Sequence, residues 1–142
     1  MRGAIVNGVR QADYALIVPD VPAVTLEWGS YGKIIEGTDS LTDGLSNTQA
    51  MLKAKCPPAV LCTDLEIDGH NDFYLPARAE MWAARANAPE LFEKAFHWTS
   101  TQGSSDFAFV QGFEGGYSHW GTKGDGYRVR PFRRIQLYHF TA

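Results

Sequence analysis

Short apolar runs set the early part of the chain. Tyr14-Ala15-Leu16-Ile17-Val18 is a run of strand formers closed by Pro19, Asp20 and Pro22. Ala23-Val24-Thr25-Leu26-Glu27-Trp28 alternates apolar and polar positions before Gly29-Ser30, which predicts a second strand. Tyr31 to Ile35 fits a third, and the three together predict a small antiparallel sheet. Residues 1–10 are interrupted by Gly3, Asn7 and Gly8 and read as an N-terminal arm; residues 11–142 read as one domain.

Helical signals follow. Ser46-Asn47-Thr48-Gln49 has the form of a capping box, a hydroxyl followed three residues on by Gln, and predicts a helix carrying Ala50, Met51, Leu52 and Ala54. Pro57-Pro58 is expected to stop it, leaving Ala59-Val60-Leu61-Cys62 as a short apolar piece docked in the core. A second helix is expected from Pro76 to Ala86, with Met81, Trp82 and Arg85 on its half-buried face. Asn87-Ala88-Pro89-Glu90 breaks it and begins a short turn through Phe92. From Phe96 the texture changes to strands and glycine turns. Phe96 to Ser100, Phe107 to Gln111 and Tyr127 to Tyr138 read as strands, the last with a bulge or an edge at Pro131. Glu114-Gly115-Gly116-Tyr117 and Lys123-Gly124-Asp125-Gly126 read as turns. Two helices among strands give an α+β class.

The strongest local punctuation lies between Gly69 and Met81. Gly69, Asn71 and Asp72 form turns. Phe73, Tyr74 and Leu75 suit an extended piece. Pro76 fits the first helical position and Glu80 the first turn, where the helix dipole favours a negative charge. The segment Asp72-Phe73-Tyr74-Leu75-Pro76-Ala77-Arg78-Ala79-Glu80-Met81 resembles the D-W-x-L-P-[ST]-x-x-E-[LM] signature of the Lcl C-terminal-domain family. His97-Trp98-Thr99-Ser100-Thr101-Gln102 is similar to that family's W-[ST]-S-T strand. Gly126 to Ile135 is similar to its closing V-R-x-V-R strand. The three lie in the family's order and cover the C-terminal half. Ala77 departs from the family's Ser or Thr, so the side-chain half of a capping box is missing there.

The resemblance implies a C-type-lectin-like fold related to formylglycine-generating-enzyme-like domains: two helices packed on small antiparallel sheets, with a loop-rich C-terminal half. It also implies an arginine-bearing last strand whose Arg128, Arg130, Arg133 and Arg134 serve the fold, pairing with carboxylates such as Glu80 or bonding to loop carbonyls. The early segments Tyr14 to Val18, Trp28-Gly29, Asp43-Gly44 and Asn47-Thr48 resemble the phage-borne subset of the family.

Composition narrows the function classes. With 142 residues the chain is long enough for one sizeable core. A net charge of −3 gives no general attraction to nucleic acid or an anionic membrane. No run approaches the ~20 apolar residues of a membrane span. The apolar start is cut at Asn7-Gly8, too soon for a secretory leader, so synthesis in the cytoplasm is expected; assembly into a virion is what the resemblance to the phage-borne subset implies. Cys56 and Cys62 read first as two small buried thiols. A short-loop disulfide is the alternative, and with His70 they make only an incomplete metal set.

Enzyme chemistry finds little support. Formylglycine-generating enzymes need a late cysteine pair, and no cysteine follows Cys62. No Gly-x-Ser-x-Gly elbow is present. Asp106, Glu114 and Asp125 are the carboxylates available for a glycan hydrolase, and their spacing is that of solvated loop acids. The calcium-lectin triplets Glu-Pro-Asn and Trp-Asn-Asp are absent, so no metal or other cofactor is expected.

What is left is a cluster of rings and short polar groups on two glycine-rich connections. Gln102, Asp106, Tyr117, His119, Trp120 and Lys123 are the candidate ligand-binding residues. Aromatic rings give contact area at small entropy cost, and polar neighbours give direction. The competing reading is that Tyr117 and Trp120 only pack the loops onto the sheet. The expectation is a non-enzymatic phage virion protein that binds a host surface glycan or protein receptor. The alternatives are an architectural capsid or tail decoration protein that binds only other virion proteins, and a glycan hydrolase. A homotrimer would suit a fibre tip.

Overall fold

The computed structural model describes residues 3–6, 9–12, 14–114 and 118–137. Strands β1 (Gly3–Val6) and β2 (Val9–Ala12) pair antiparallel as a hairpin. Strand β3 (Tyr14–Ile17) follows, then β4 (Val24–Glu27). Helices α1 (Gly44–Lys53), α2 (Pro57–Asp64) and α3 (Arg78–Asn87) occupy the middle, and Pro89–Leu91 adds a 3-10 turn. The remainder is β5 (Phe96–Gln102), β6 (Phe107–Gly112), β7 (Ser118–Thr122), β8 (Gly126–Val129) and β9 (Arg133–Gln136). The class is α+β. The main sheet has five strands in the order β4-β8-β5-β6-β7, all antiparallel neighbours except β5 and β8.

The strands pair differently from the sequence expectation. β3 and β4 do not form one early sheet. β3 pairs with β9, from Tyr14 opposite Gln136 to Ile17 opposite Arg133, whereas β4 pairs with β8. The strand expected over Tyr127 to Tyr138 is therefore two strands in two sheets; Tyr138 lies outside the described residues. Pro131 sits in the break, where its missing N–H would interrupt a continuous ladder. Tyr31 to Ile35 forms turn and coil instead of a strand. Ser118 to Thr122, read as loop, is an edge strand paired with β6.

The helices also begin elsewhere. α1 is capped by Asp43, whose Oδ1 accepts from Ser46 N at 3.1 Å, so Ser46 lies inside the first turn. Thr48 turns inward: its hydroxyl donates to Gly44 O and accepts from Leu75 N. Pro57 starts α2 rather than stopping α1, because a helix's first residue needs no N–H partner. The apolar piece after it is thus a third helix. α3 starts at Arg78, two residues beyond Pro76, and Trp82 on its expected buried face is 59% exposed.

Two apolar clusters are present. One joins Trp28, Met51 of α1, Ala59 and Cys62 of α2, Trp98, Val110 and Val129. The other joins Tyr74, Met81 and Ala84 of α3, Phe92, Phe113 and Phe132. Alternation along extended residues 73–75 explains why this segment organises the chain: Phe73 and Leu75 enter the first cluster and Tyr74 the second. Tyr74 also exchanges both backbone hydrogen bonds with Phe132 at 2.8 Å. Burying such side chains contributes roughly 1.5–3 kcal/mol each, so one short segment ties both clusters together.

Candidate functional site

A buried carboxylate anchors the start of α3. Glu80 is fully buried. Its Oε1 accepts from Ala77 N at 3.1 Å and from Gly44 N at 2.8 Å, so one oxygen serves the N-termini of α3 and α1. Its Oε2 accepts from Tyr74 Oη at 2.6 Å, Tyr14 Oη at 3.3 Å and Arg134 Nη2 at 3.4 Å. The carboxylate half of the capping box is therefore present, while Ala77 supplies no hydroxyl. A Cβ at Gly44 would lie 2.5 Å from Glu80 Oε1 and 2.6 Å from Ala77 N, so only glycine allows this approach. Burial, then the nearby Glu80 charge, pushes the Tyr14 hydroxyl up to about 12 and raises Tyr74 as well. Both phenols stay protonated as donors.

The arginines of the last strands serve the fold, as expected. Arg134 lies over the rings of Tyr14 and Tyr74 and pairs with Glu80 and Asp43. Arg130 donates to Leu91 O and Pro19 O at 2.7 and 2.8 Å. Arg128 pairs with Glu93, and Arg133 with Asp72, both at 2.6 Å. Asp72 is thus occupied; the turn itself lies just before it at Asp68-Gly69, closed by the backbone pair Ile67 and His70.

Two of the candidate ligand-binding residues prove to be interior. Lys123 is fully buried and donates to Lys33 O at 2.7 Å and Gln102 Oε1 at 2.8 Å, above the Trp28 ring. Gln102 also accepts from Ile35 N and donates to Ile35 O and Asp39 Oδ1. Burial lowers the Lys123 pKa. These two polar side chains fasten residues 33–39 to the sheet, and neither is available to a ligand.

Trp120 has the opposite environment. It is 49% exposed and its ring stacks on Phe109, its cross-strand partner, at 3.9 Å. The indole lies over Gly103, where a Cβ would meet the ring at 1.3 Å, so a larger residue there would displace it. Gly103, Ser104, Phe107 and Trp120 line a hollow of about 290 Å³. On Phe109 also rests the Arg78 guanidinium, 4.2 Å from the ring centre. Both groups lie over the ring at that range, so they occupy its opposite faces. Beyond Arg78 a second hollow of about 550 Å³ runs along α3, lined by Leu41, Arg78, Ala79, Trp82, Ala83 and Ala86.

The remaining candidates divide. His119 is exposed, but it precedes Trp120 on β7 and therefore faces the other side of the sheet, where it meets Phe96 at 4.5 Å. Asp106 is half-buried beside the hollow; its carboxylate accepts from Ser105 Oγ and its carbonyl from Lys123 N. Tyr117 lies outside the described residues. Asp125 lies two residues beyond Lys123, whose backbone N–H donates to Asp106 O at 2.9 Å; Asp106 and Glu114, in contrast, flank opposite ends of β6, on the order of 25 Å apart at about 3.3 Å per residue. That is too far for a carboxylate pair acting on one glycosidic bond. Cys56 and Cys62 are free, buried thiols, and burial pushes Cys62 up to about 12. Among the described residues no three His, Cys, Asp or Glu side chains gather as a metal set, and no helix is long and apolar enough to cross a membrane.

The sequence reading missed Phe107, Phe109 and Gly103 at the hollow, and Arg78 beside it. A signal existed. Phe107 and Phe109 alternate with Ala108 and Val110, so β6 is apolar on both faces while its neighbour β7 is an edge. Compared with known proteins, the chain matches no family model and no curated protein.

Proposed function

We propose that this chain is a non-enzymatic, lectin-like protein of a bacteriophage particle, of the receptor-binding or tail-fibre type, and that it binds a host surface glycan or receptor. The observation that carries the reading is Trp120: half-exposed, stacked on Phe109, with Gly103 beneath it and an open hollow beside it. A sugar ring presents C–H groups on one face and hydroxyls at its edge. An indole offers a matching apolar plane and an N–H, and among the described residues Trp120 Nε1 meets no acceptor. The phage and lectin-like parts are supported by the resemblance of residues 72–81, 97–102 and 126–135 to the Lcl C-terminal-domain family. A single shallow hollow gives weak binding, which many copies on one particle would strengthen by about 10²–10⁴-fold.

A glycan array with the folded wild type and Trp120→Ala tests this reading: signal on a subset of glycans, lost in the variant, is expected. Electron microscopy of labelled phage particles should place the protein at a fibre tip or another exposed position. A second reading, an architectural protein that binds only other virion proteins, is favoured by the apolar hollow along α3 with its exposed Leu41 and Trp82. A folded sample without glycan signal, located between virion subunits, would select it.

A further inference from the structure

Resting on the glycan-binding reading, we infer that the ligand is an acidic oligosaccharide. One sugar would stack at Trp120, and a carboxylate on that sugar or its neighbour would be held by Arg78. The argument starts from the arginines. Arg128, Arg133 and Arg134 each pair with a carboxylate, and Arg130 donates to two carbonyls. Arg78 has no such partner. Among the described residues nothing accepts a hydrogen bond from its guanidinium; only its backbone N–H is engaged, by Thr101 Oγ1 at 3.0 Å. Yet the guanidinium rests over the Phe109 ring, its central carbon 4.2 Å from the ring centre. A cation–π contact engages no oxygen acceptor, so the N–H fork that matches a carboxylate is left to donate.

Position makes this cation part of the Trp120 surface. Phe109 separates the two, with the indole 3.9 Å from its centre and the guanidinium carbon 4.2 Å, so they lie within about 8 Å of each other. A hollow opens on each side of the stack. An oligosaccharide laid across Phe109 would place one unit at Gly103 and Trp120 and present its acid at Arg78. A neutral ligand would leave the cation unused, and a cationic one would be repelled.

The test is an array of uronic-acid and nonulosonic-acid oligosaccharides, each beside its carboxyl-reduced counterpart, probed with wild type, Arg78→Met, Arg78→Lys and Trp120→Ala. Folding of each variant is checked by circular dichroism. Wild type should prefer the acidic member of a bound pair by about tenfold or more, the range expected for a charged hydrogen-bonded contact, and the preference should shrink with added salt. Arg78→Met should equalise the pair while keeping the neutral signal, Arg78→Lys should keep part of the preference, and Trp120→Ala should lose both members. Equal binding of acidic and neutral members by wild type, or a preference unchanged in Arg78→Met, overturns the acidic ligand and leaves the glycan reading standing. Silence across the array from folded wild type overturns the glycan reading itself.

Discussion

Two regions of this molecule are built from the same parts and differ in what is left over. Around Glu80, an arginine lies on Tyr14 and Tyr74, and the shared carboxylate takes five hydrogen bonds in the interior. Around Phe109, an arginine and a tryptophan also lie over a ring, but among the described residues no carboxylate completes the set. The tryptophans repeat the contrast. Trp28 and Trp98 are buried and donate to Thr99 O and Leu26 O, each at 2.9 Å. Trp82 and Trp120 are exposed, and among the described residues their indole N–H groups meet no acceptor. Aromatic rings with an arginine therefore do not by themselves mark a binding site. Unspent donors on a surface held rigidly from below are the better sign.

The comparison can be broken most sharply at Glu80. Glu80→Ala removes the acceptor from two helix N-termini and from the buried Tyr74 hydroxyl, and leaves half-buried Arg134 with Asp43 alone. Losing one partner of a buried pair costs about 3–5 kcal/mol, which urea unfolding should show. A loss below about 1 kcal/mol would mean the network is dispensable. Lys123→Ala comes next. It leaves Lys33 O without its donor and Gln102 Oε1 with Ile35 N alone, and opens a cavity over Trp28, with an expected cost of about 3 kcal/mol.

A pH titration sharpens the interior side of the contrast. His97 is buried; its Nδ1 donates to Ala95 O, its Nε2 has no partner among the described residues, and Phe92 and Phe113 flank it. Burial lowers its pKa to about 4, with Arg130 and Arg128 nearby adding to the effect against Glu93. The unfolded chain takes up the proton first, so stability falls as pH drops from about 6.5 towards 4. Unfolding at pH 5 should be easier than at pH 7.5 by about 2 kcal/mol, and His97→Gln should flatten the profile in that window. The smallest stability effects are expected at the surface. Arg78→Met and Trp120→Ala should each cost no more than about 1 kcal/mol, roughly 3 °C in Tm.

Much of the interior was legible in the chain, for physical reasons that can be named. The turn at Gly69, the extended residues 73–75 and the first-turn Glu80 are local signals, and each appears where local chemistry places it, whereas Asn71 and Asp72 follow that turn instead of forming one. The role of the last-strand arginines was legible because guanidinium groups need acceptors wherever the chain is buried. Pairing was not legible. Nothing in Tyr14 to Val18 says that its partner is β9 rather than β4, since strand pairing is a long-range choice. Pro57 is ambiguous in sequence because proline is excluded from a helix interior yet fits a helix's first position, and here α1 has already ended at Lys53. The candidate site was half legible. Trp120 was found, but Gln102 and Lys123 were taken as surface because long polar side chains are usually exposed, and here they satisfy each other in the interior. His119 was grouped with Trp120 because Ser118 to Thr122 was taken as loop; once it is a strand, neighbours face opposite ways.

The central claim is that the Trp120 face is built for contact and not for support. It is tested most directly by measuring Tm and glycan binding together for wild type and Trp120→Ala. The account predicts a Tm within roughly 3 °C of wild type and no remaining glycan signal. A variant that binds as wild type does, or one whose stability falls as far as that of Glu80→Ala, would contradict it.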